Sequence, residues 1–298
     1  MSLKHLNKTD KEINEKNFVT LSSVIAAFFL TGTKLIIGIL TGSLGILSEA
    51  LHSGLDLIAA IMTFFAVRIS DKPADEDHQF GHGKIENLSA LIETFLLLIT
   101  CFWIIYEAVN RLQTGKTEIL VTYWSFGVVI FSIIVDISRS RALSRVAKKY
   151  KSQAMEADAL HFSTDILSSA VVLIGLVGSY FNYHIADAIS ALLVALIVIV
   201  ISFRLGKRSI DALLDRSPSS LTSEQIIKLV QEIPEVFNVH DIRLRTSGPN
   251  TFIELNIHVH PNISIQKAHE ISHQVEALLH SKIERCSVHI HTEPEHSD

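Results

Sequence analysis

LGILSEALHSGLDLIAAIMTFFAVRI, residues 44–69, is apolar over enough length to cross a hydrocarbon core of about 30 Å at about 1.5 Å per helical residue. Inside it sits His52-Ser-Gly-Leu-Asp56. A second apolar run, residues 156–182, carries His161-Phe-Ser-Thr-Asp165 at the same spacing. Residues four apart on an α-helix share one face, with Cβ atoms about 6 Å apart, so each pair offers one imidazole nitrogen and one carboxylate to a common point. Two such helices supply an N2O2 set suited to a tetrahedral divalent cation such as Zn2+. Ionisable groups at lipid depth are costly and mark an ion path.

Working outward, six runs of this kind (17–41, 44–69, 86–110, 122–143, 156–182 and 185–206) predict six transmembrane helices within residues 17–208, with both termini on one side. The positive-inside rule makes that side cytoplasmic. Lys4, Lys8, Lys11 and Lys16 lie in an N-terminal arm, 1–16, and Arg139, Arg141, Arg145, Lys148, Lys149 and Lys151 gather between the fourth and fifth runs. The opposite connections, Gly42-Ser43, Thr114 to Val121 and Asn182 to His184, are short and nearly uncharged. In this orientation Asp56 lies about 18 Å from the outer end of its helix and Asp165 about 14 Å from the inner end of its own. The two pairs therefore overlap in depth near the midplane. Glu49, Glu93, Asp136 and Asp187 read as groups that pair helices, and Lys34 as a side chain that snorkels outward.

Composition agrees with a membrane part joined to a soluble part. The 298 residues are 48% hydrophobic and 19% charged, too apolar for an ordinary soluble domain and too polar for a wholly embedded one. A formal net charge of -5 excludes a basic surface for nucleic acid. The charged arm has no short apolar stretch with a cleavage site behind it, so no signal peptide is expected. Two cysteines, Cys101 and Cys286, cannot build a disulfide framework; they fit a reduced compartment and read as packing residues.

After Arg208 the character changes. Residues 209–220, with Asp211, Asp215, Arg216 and Pro218, read as a linker. Residues 221–298 then read as a helix at about 222–232, strands near 239–246 and 251–260, a helix at about 264–282 and a last strand at 286–291. Ser247-Gly248-Pro249-Asn250 is the hairpin turn between the first two strands. The order αββαβ predicts a small α+β sandwich, one sheet face covered by two helices. Ile253, Leu255, Ile257 and Val259 alternate with Glu254, Asn256, His258 and His260, and Val288 and Ile290 with His289 and His291, which puts the histidines on the open face.

Two further polar groupings stand outside the apolar runs. The connection between the second and third runs reads Asp75-Glu-Asp-His78-Gln-Phe-Gly-His82-Gly-Lys84, and its spacing leaves a surface cation site and an ordinary polar loop equally open. Nine of the fifteen histidines follow residue 208, more than solvation requires, with Asp241 and Glu293 as charge partners. His269 and His273 share a helix face there.

DEDHQFGHGKIENLSALIE (75–93), SEALHSGLD, EADALHFSTD and VHDIRLRTSG together make the chain similar to the cation diffusion facilitator family of divalent-metal/proton antiporters, over about residues 17–294. The resemblance implies six transmembrane helices, a ferredoxin-like cytoplasmic domain and a homodimer in the plasma (inner) membrane. It assigns a transport site to His52, Asp56, His161 and Asp165. Bacterial zinc exporters of the family have Asp at the first of these positions, whereas this chain has His, as vertebrate vesicular zinc transporters do. The resemblance further implies a loop site at Asp75, His78 and His82. It also implies a binuclear cytoplasmic site at His240, His258, His269, His291 and Glu293, where Glu replaces the usual Asp and Thr292 stands where some relatives have Gln. A dimer-stabilising charge interlock maps to Lys84 and Asp215.

The expected chemistry is export of Zn2+ against protons, because metal needs neutral imidazoles and ionised carboxylates and so competes with protons for the same four side chains. Fe2+, Co2+, Cd2+, Ni2+ and Mn2+ are the alternative cargoes. A membrane sensor that binds without transporting would use the same ligands, but no kinase, phosphatase or DNA-binding module follows. A metalloenzyme is disfavoured because HExxH is absent and four protein ligands leave no open position. A channel is disfavoured because four strong ligands would hold the ion too tightly.

Overall fold

The computed structural model describes residues 10–41, 44–114, 123–180, 184–218 and 221–295. Six long helices come first: α1 (Asp10–Thr41), α2 (Leu44–Ser70), α3 (Lys84–Thr114), α4 (Tyr123–Tyr150), α5 (Gln153–Tyr180) and α6 (His184–Leu213). Then follow α7 (Ser223–Val230), β1 (Asn238–Ser247), β2 (Asn250–Val259), α8 (Ile265–Lys282) and β3 (Cys286–Pro294). The chain divides into two compact units, residues 10–70 with 85–210, and residues 71–84 with those from 211 onward. The proposed outer connections at 42–43, 115–121 and 182–183, residues 1–9 of the arm and the side chains of Glu49 and Asp187 lie outside the described residues.

In the helical unit α1 packs on α2 and α4 on α5, and the two hairpins join through α1 with α4 and α2 with α5. The distribution of side chains is inverted relative to a soluble bundle. Phe28, Phe29, Leu40, Phe95, Phe102 and Phe203 are exposed, while Lys34, Asp56, Glu93, Asp136, Asp158 and His161 are buried. That arrangement suits lipid outside and an ionic interior. By length and composition, Asp10–Leu40, His52–Ser70 and Lys84–Asn110 qualify as membrane spans among the described residues. The last turns of α4 are basic, Lys148 and Lys149 included, which lowers its apolar character.

Small residues permit close helix contact. Ala154, Ala157 and Ala159 are buried on α5, and Ser140 Oγ donates to the Ala159 carbonyl at 3.0 Å, tying α4 to α5. At Gly206 on α6 an added Cβ would stand 2.9 Å from Thr94 Cγ2 on α3. Two boundaries differ from the sequence expectation. The first helix starts at Asp10, inside the expected arm, because Lys16 is fully buried and its Nζ donates to Glu86 Oε1 at 2.9 Å. The last long helix runs to Leu213, through residues expected to be linker.

The second unit has the expected αββαβ order. Its sheet runs β1-β2-β3, with β1 antiparallel and β3 parallel to β2. Helix α7 starts with a capping box, Thr222 Oγ1 accepting from the Gln225 backbone N–H while Gln225 Oε1 accepts from that of Thr222. Ile226 and Val230 of α7 and Ile271, Val275 and Leu279 of α8 bury against Ile253, Leu255, Ile257 and Val259. The strand alternation read from the sequence thus sets which face is covered. Ser247 ends β1 and Asn250 begins β2, with Gly248 at φ +57° in the turn between them.

Residues 71–84 dock on this hairpin. The Phe80 ring meets Phe252 edge-on at 5.5 Å between centroids, and the Arg245 guanidinium lies 4.2 Å from the Phe80 ring centre. A Cβ on Gly83 would fall 2.5 Å from the Ser247 carbonyl oxygen, so only glycine fits there.

Candidate metal centre

The period of the α-helix makes His52 and Asp56 neighbours on α2 and His161 and Asp165 neighbours on α5, and the α2–α5 packing brings the pairs together. His161 Nε2 lies 3.0 Å from Asp56 Oδ1 and 3.8 Å from Asp165 Oδ2. His52 Nε2 lies 3.4 Å from Asp165 Oδ1 and 3.9 Å from Asp56 Oδ1. Each histidine of one helix is closer to the carboxylate of the other than to its own, and the candidate ligand atoms of His52, Asp56 and Asp165 all lie within 4.8 Å of one another, with His161 reaching Asp56. Asp56, His161 and Asp165 are buried, and His52, with 39% of its side chain exposed, is the open side. Asp165 Oδ2 is buried without a hydrogen-bond partner among the described residues. An orphaned carboxylate oxygen beside two imidazoles fits a divalent cation.

The polar residues around this cluster divide by role. Glu93 does pair helices, accepting from Thr63 Oγ1 of α2 and Ser89 Oγ of its own helix. Asp136 pairs within α4, accepting from Arg139 Nη1 at 3.4 Å. It is Arg139 that reaches across, donating through Nε to Ser23 Oγ on α1 at 3.1 Å and lying 3.5 Å from the Phe162 ring centre on α5. Lys34 corrects the sequence reading. It does not snorkel outward: it is buried, and its Nζ donates to Ser53 Oγ at 2.8 Å. The adjacent α2 hydroxyl offers a lone pair inside the bundle, which removes the reason to reach for water.

In the loop, Asp75 holds both histidines. Its Oδ1 accepts from the His78 backbone N–H at 2.6 Å and lies 3.3 Å from His78 Nδ1, while Oδ2 lies 3.3 Å from His82 Nε2. The His78 backbone N–H, countered by some burial and helped by the His78 and His82 side chains, holds the Asp75 carboxyl below the usual carboxylate range. The three candidate ligand atoms lie within 4.8 Å of one another. The same unit contains the Lys84–Asp215 pair, Nζ to Oδ1 2.9 Å, with Arg245 3.8 Å from the other carboxylate oxygen.

On the sheet, His240, His258 and Glu293 converge. The two Nε2 atoms are 2.9 Å apart, and Glu293 Oε2 lies 3.3 Å from His240 and 3.2 Å from His258. Strand register alone pairs His240 with Asn256 and His258 with Asn238. That register makes His240 and His258 diagonal neighbours on one face of the sheet, and the bulge, with Asp241 at φ +51°, follows between His240 and Arg243. His291 Nε2 lies 3.3 Å from Glu293 Oε1. His269 is not in this cluster among the described residues, since its Nε2 stands 3.1 Å from His273 Nε2 on α8. Glu295, which the sequence reading missed, lies 2.8 Å from His258 Nδ1. Its signal was available: Glu293 and Glu295 are two apart on a strand and share a face.

Residues 20–214 match the family model of the cation efflux transmembrane domain, and residues 218–295 match that of the cation efflux protein cytoplasmic domain. The chain belongs to the cation efflux, or cation diffusion facilitator, family. It is similar to the cation-efflux pump FieF of Yersinia enterocolitica, 32% identical over 276 residues, 92% of this chain and 91% of the relative. It is also similar to an uncharacterized transporter of Methanocaldococcus jannaschii, 36% identical over 270 residues, 90% of this chain and 95% of the relative. Among solved structures, the Zn form of CzrB matches at 28% identity and TM-score 0.26, covering 27% of this chain and 93% of that one. A copper form of the MamM CTD matches at 30% and 0.24, covering 24% and 92%. As a family member the chain is a membrane transporter for divalent metal efflux, not an enzyme, and assembles as a homodimer.

Proposed function

We propose that this transporter exports Zn2+ from the cytoplasm in exchange for protons, with His52, Asp56, His161 and Asp165 as the transport site. The observation that carries the reading is the crossed arrangement of the twin pairs, His161 with Asp56 at 3.0 Å and His52 with Asp165 at 3.4 Å. Zn2+ is the cargo best matched to two imidazoles and two carboxylates in tetrahedral array. Release follows protonation, because each proton taken up removes a ligand from the ion. Buried groups that must be either metal-bound or protonated supply the coupling without a separate proton carrier.

In this reading both termini face the cytoplasm of a cell with the transporter in its inner membrane, and residues 221–298 regulate transport. Cytoplasmic metal binds at His240, His258, His269, His291 and Glu293, and at Asp75, His78 and His82 in the loop that docks on the same unit. The Lys84–Asp215 pair fixes that loop to the start of the linker. Docking through Phe80 and Gly83 supports a mechanical link between loop and sheet.

Cation uptake into proteoliposomes after a pH jump, taken one metal at a time, tests the reading. Zn2+ uptake is expected to be fastest and to require the proton gradient. Uptake that is undiminished by Asp56→Ala would contradict the assignment of the site.

A further inference from the structure

We propose that Asp158 is the positioning residue of His161: when a divalent cation takes Nε2 of that ring, the Asp158 carboxylate accepts a hydrogen bond from Nδ1–H on its other side. The proposal rests on the reading that His161 is a transport-site ligand, and it gives work to a residue that this reading leaves unused.

Asp158 lies on α5 with 1% of its surface exposed, and both of its carboxylate oxygens are buried without a hydrogen-bond partner among the described residues. A buried carboxylate with neither oxygen satisfied is costly and calls for an explanation. His161 follows three positions later, so the two side chains share one face of the helix. Its Nδ1 is likewise buried and without a partner among the described residues. Among charged side chains, Arg139 and then His161 attract the Asp158 carboxylate most strongly.

The hydrogen bond that His161 makes in this structure explains why the two unpartnered groups do not meet. Nε2 lies 3.0 Å from Asp56 Oδ1. Held to an ionised carboxylate, which only accepts, Nε2 carries the ring proton, and Nδ1 of the neutral ring presents a lone pair that the Asp158 carboxylate repels. A metal ion reverses the ring. It needs the Nε2 lone pair, which leaves the proton on Nδ1. Asp158 is then the acceptor at hand, buried, anionic, on the same helix face and with both oxygens unused. One event satisfies His161 Nδ1 and an oxygen of Asp158 together, and only with metal bound.

Arg139 offers a competing use of Asp158, since its Nη2 is buried without a partner too. Its other nitrogens already donate, Nη1 to Asp136 and Nε to Ser23, and its guanidinium lies over the Phe162 ring. The two roles ask different things of position 158. A counter-charge for Arg139 needs the negative charge, whereas an acceptor for Nδ1–H needs only an oxygen. Asparagine separates them.

The test uses the full-length protein with Zn2+ as the probe. In proteoliposomes Asp158→Ala is expected to raise KM for zinc uptake by about 10–100-fold, the usual range for a group that orients a metal-binding histidine, and Asp158→Asn by no more than a few-fold. The loss on Asp158→Ala is expected to persist in an Arg139→Met background. The second readout is isotope-edited nitrogen NMR of the histidines in nanodiscs, with the His161 signal identified by its loss in His161→Asn. Zinc is expected to shift that signal to the Nδ1–H form in the wild type and in Asp158→Asn, and in Asp158→Ala only at correspondingly higher zinc. Zinc that leaves the His161 signal unchanged in the wild type would overturn the transport-site reading and this proposal with it. Undiminished zinc affinity of His161 in Asp158→Ala, an Asp158→Asn variant as impaired as Asp158→Ala, or a loss that vanishes in the Arg139→Met background would overturn this proposal alone.

Discussion

The cluster on α2 and α5 and the cluster on the sheet use the same two side-chain types, and the polypeptide assembles them in opposite ways. Each helix supplies a complete imidazole–carboxylate pair within one turn, so helix packing has only to bring two preformed pairs together. The sheet takes one candidate ligand from each of three strands and relies on the strand register to set them side by side on one face. Burial differs as well: three of the four candidate helix ligands are nearly inaccessible, whereas His240, His258 and Glu293 are all part-exposed. In the proposed reading, the largely buried cluster, open at His52, holds its cargo until protons displace it. A part-open cluster equilibrates with the surrounding metal, which suits sensing.

Four substitutions would break or sharpen that contrast. The largest effect is expected from Asp165→Ala, which should lower proton-dependent Zn2+ flux in proteoliposomes by about 100-fold or more, because it removes one of the four proposed ligands of a largely buried site. Next comes His258→Ala, expected to weaken Zn2+ binding to the cytoplasmic domain by roughly 10–100-fold in calorimetric titration, while flux at saturating metal changes only a few-fold. Glu295→Gln should weaken the same binding by about 10-fold, the expected size for a group that orients a ligand rather than binding metal itself. The smallest change is expected at the exposed corner of the membrane cluster. His52→Asp should keep Zn2+ flux within a few-fold and raise the Cd2+-to-Zn2+ flux ratio by a similar factor, measured on the same vesicles. If His258→Ala abolished flux as fully as Asp165→Ala, the division into a transport cluster and a sensing cluster would fail.

The same contrast governs what the sequence made legible. The HxxxD spacing revealed the membrane cluster because the helical period alone fixes which residues are neighbours, and hydropathy located the helices that carry it. Strand alternation likewise foretold the buried row Ile253, Leu255, Ile257 and Val259. Alternation put His258 on the open face, but only the pairing register, with Asn238 opposite His258 and Asn256 opposite His240, makes the two histidines diagonal neighbours. Lys34 was misread because a lone lysine in an apolar run gives no hint of the Ser53 hydroxyl on the next helix. Lys16 looked like part of a solvated arm, since its partner Glu86 lies 70 positions away. His269 is grouped with the sheet histidines by resemblance alone, and in this structure its Nε2 stands 3.1 Å from that of His273.

The central claim is that metal and protons compete for the crossed pairs on α2 and α5. Simultaneous recording of Zn2+ and pH in proteoliposomes, with equal zinc on both sides and a pH gradient imposed across the membrane, tests it most directly. The account predicts that zinc accumulates in the acidic compartment, that zinc accelerates collapse of the gradient, and that Asp165→Ala abolishes both. Zinc movement that is indifferent to the gradient, or a gradient that decays no faster with zinc present, would contradict it.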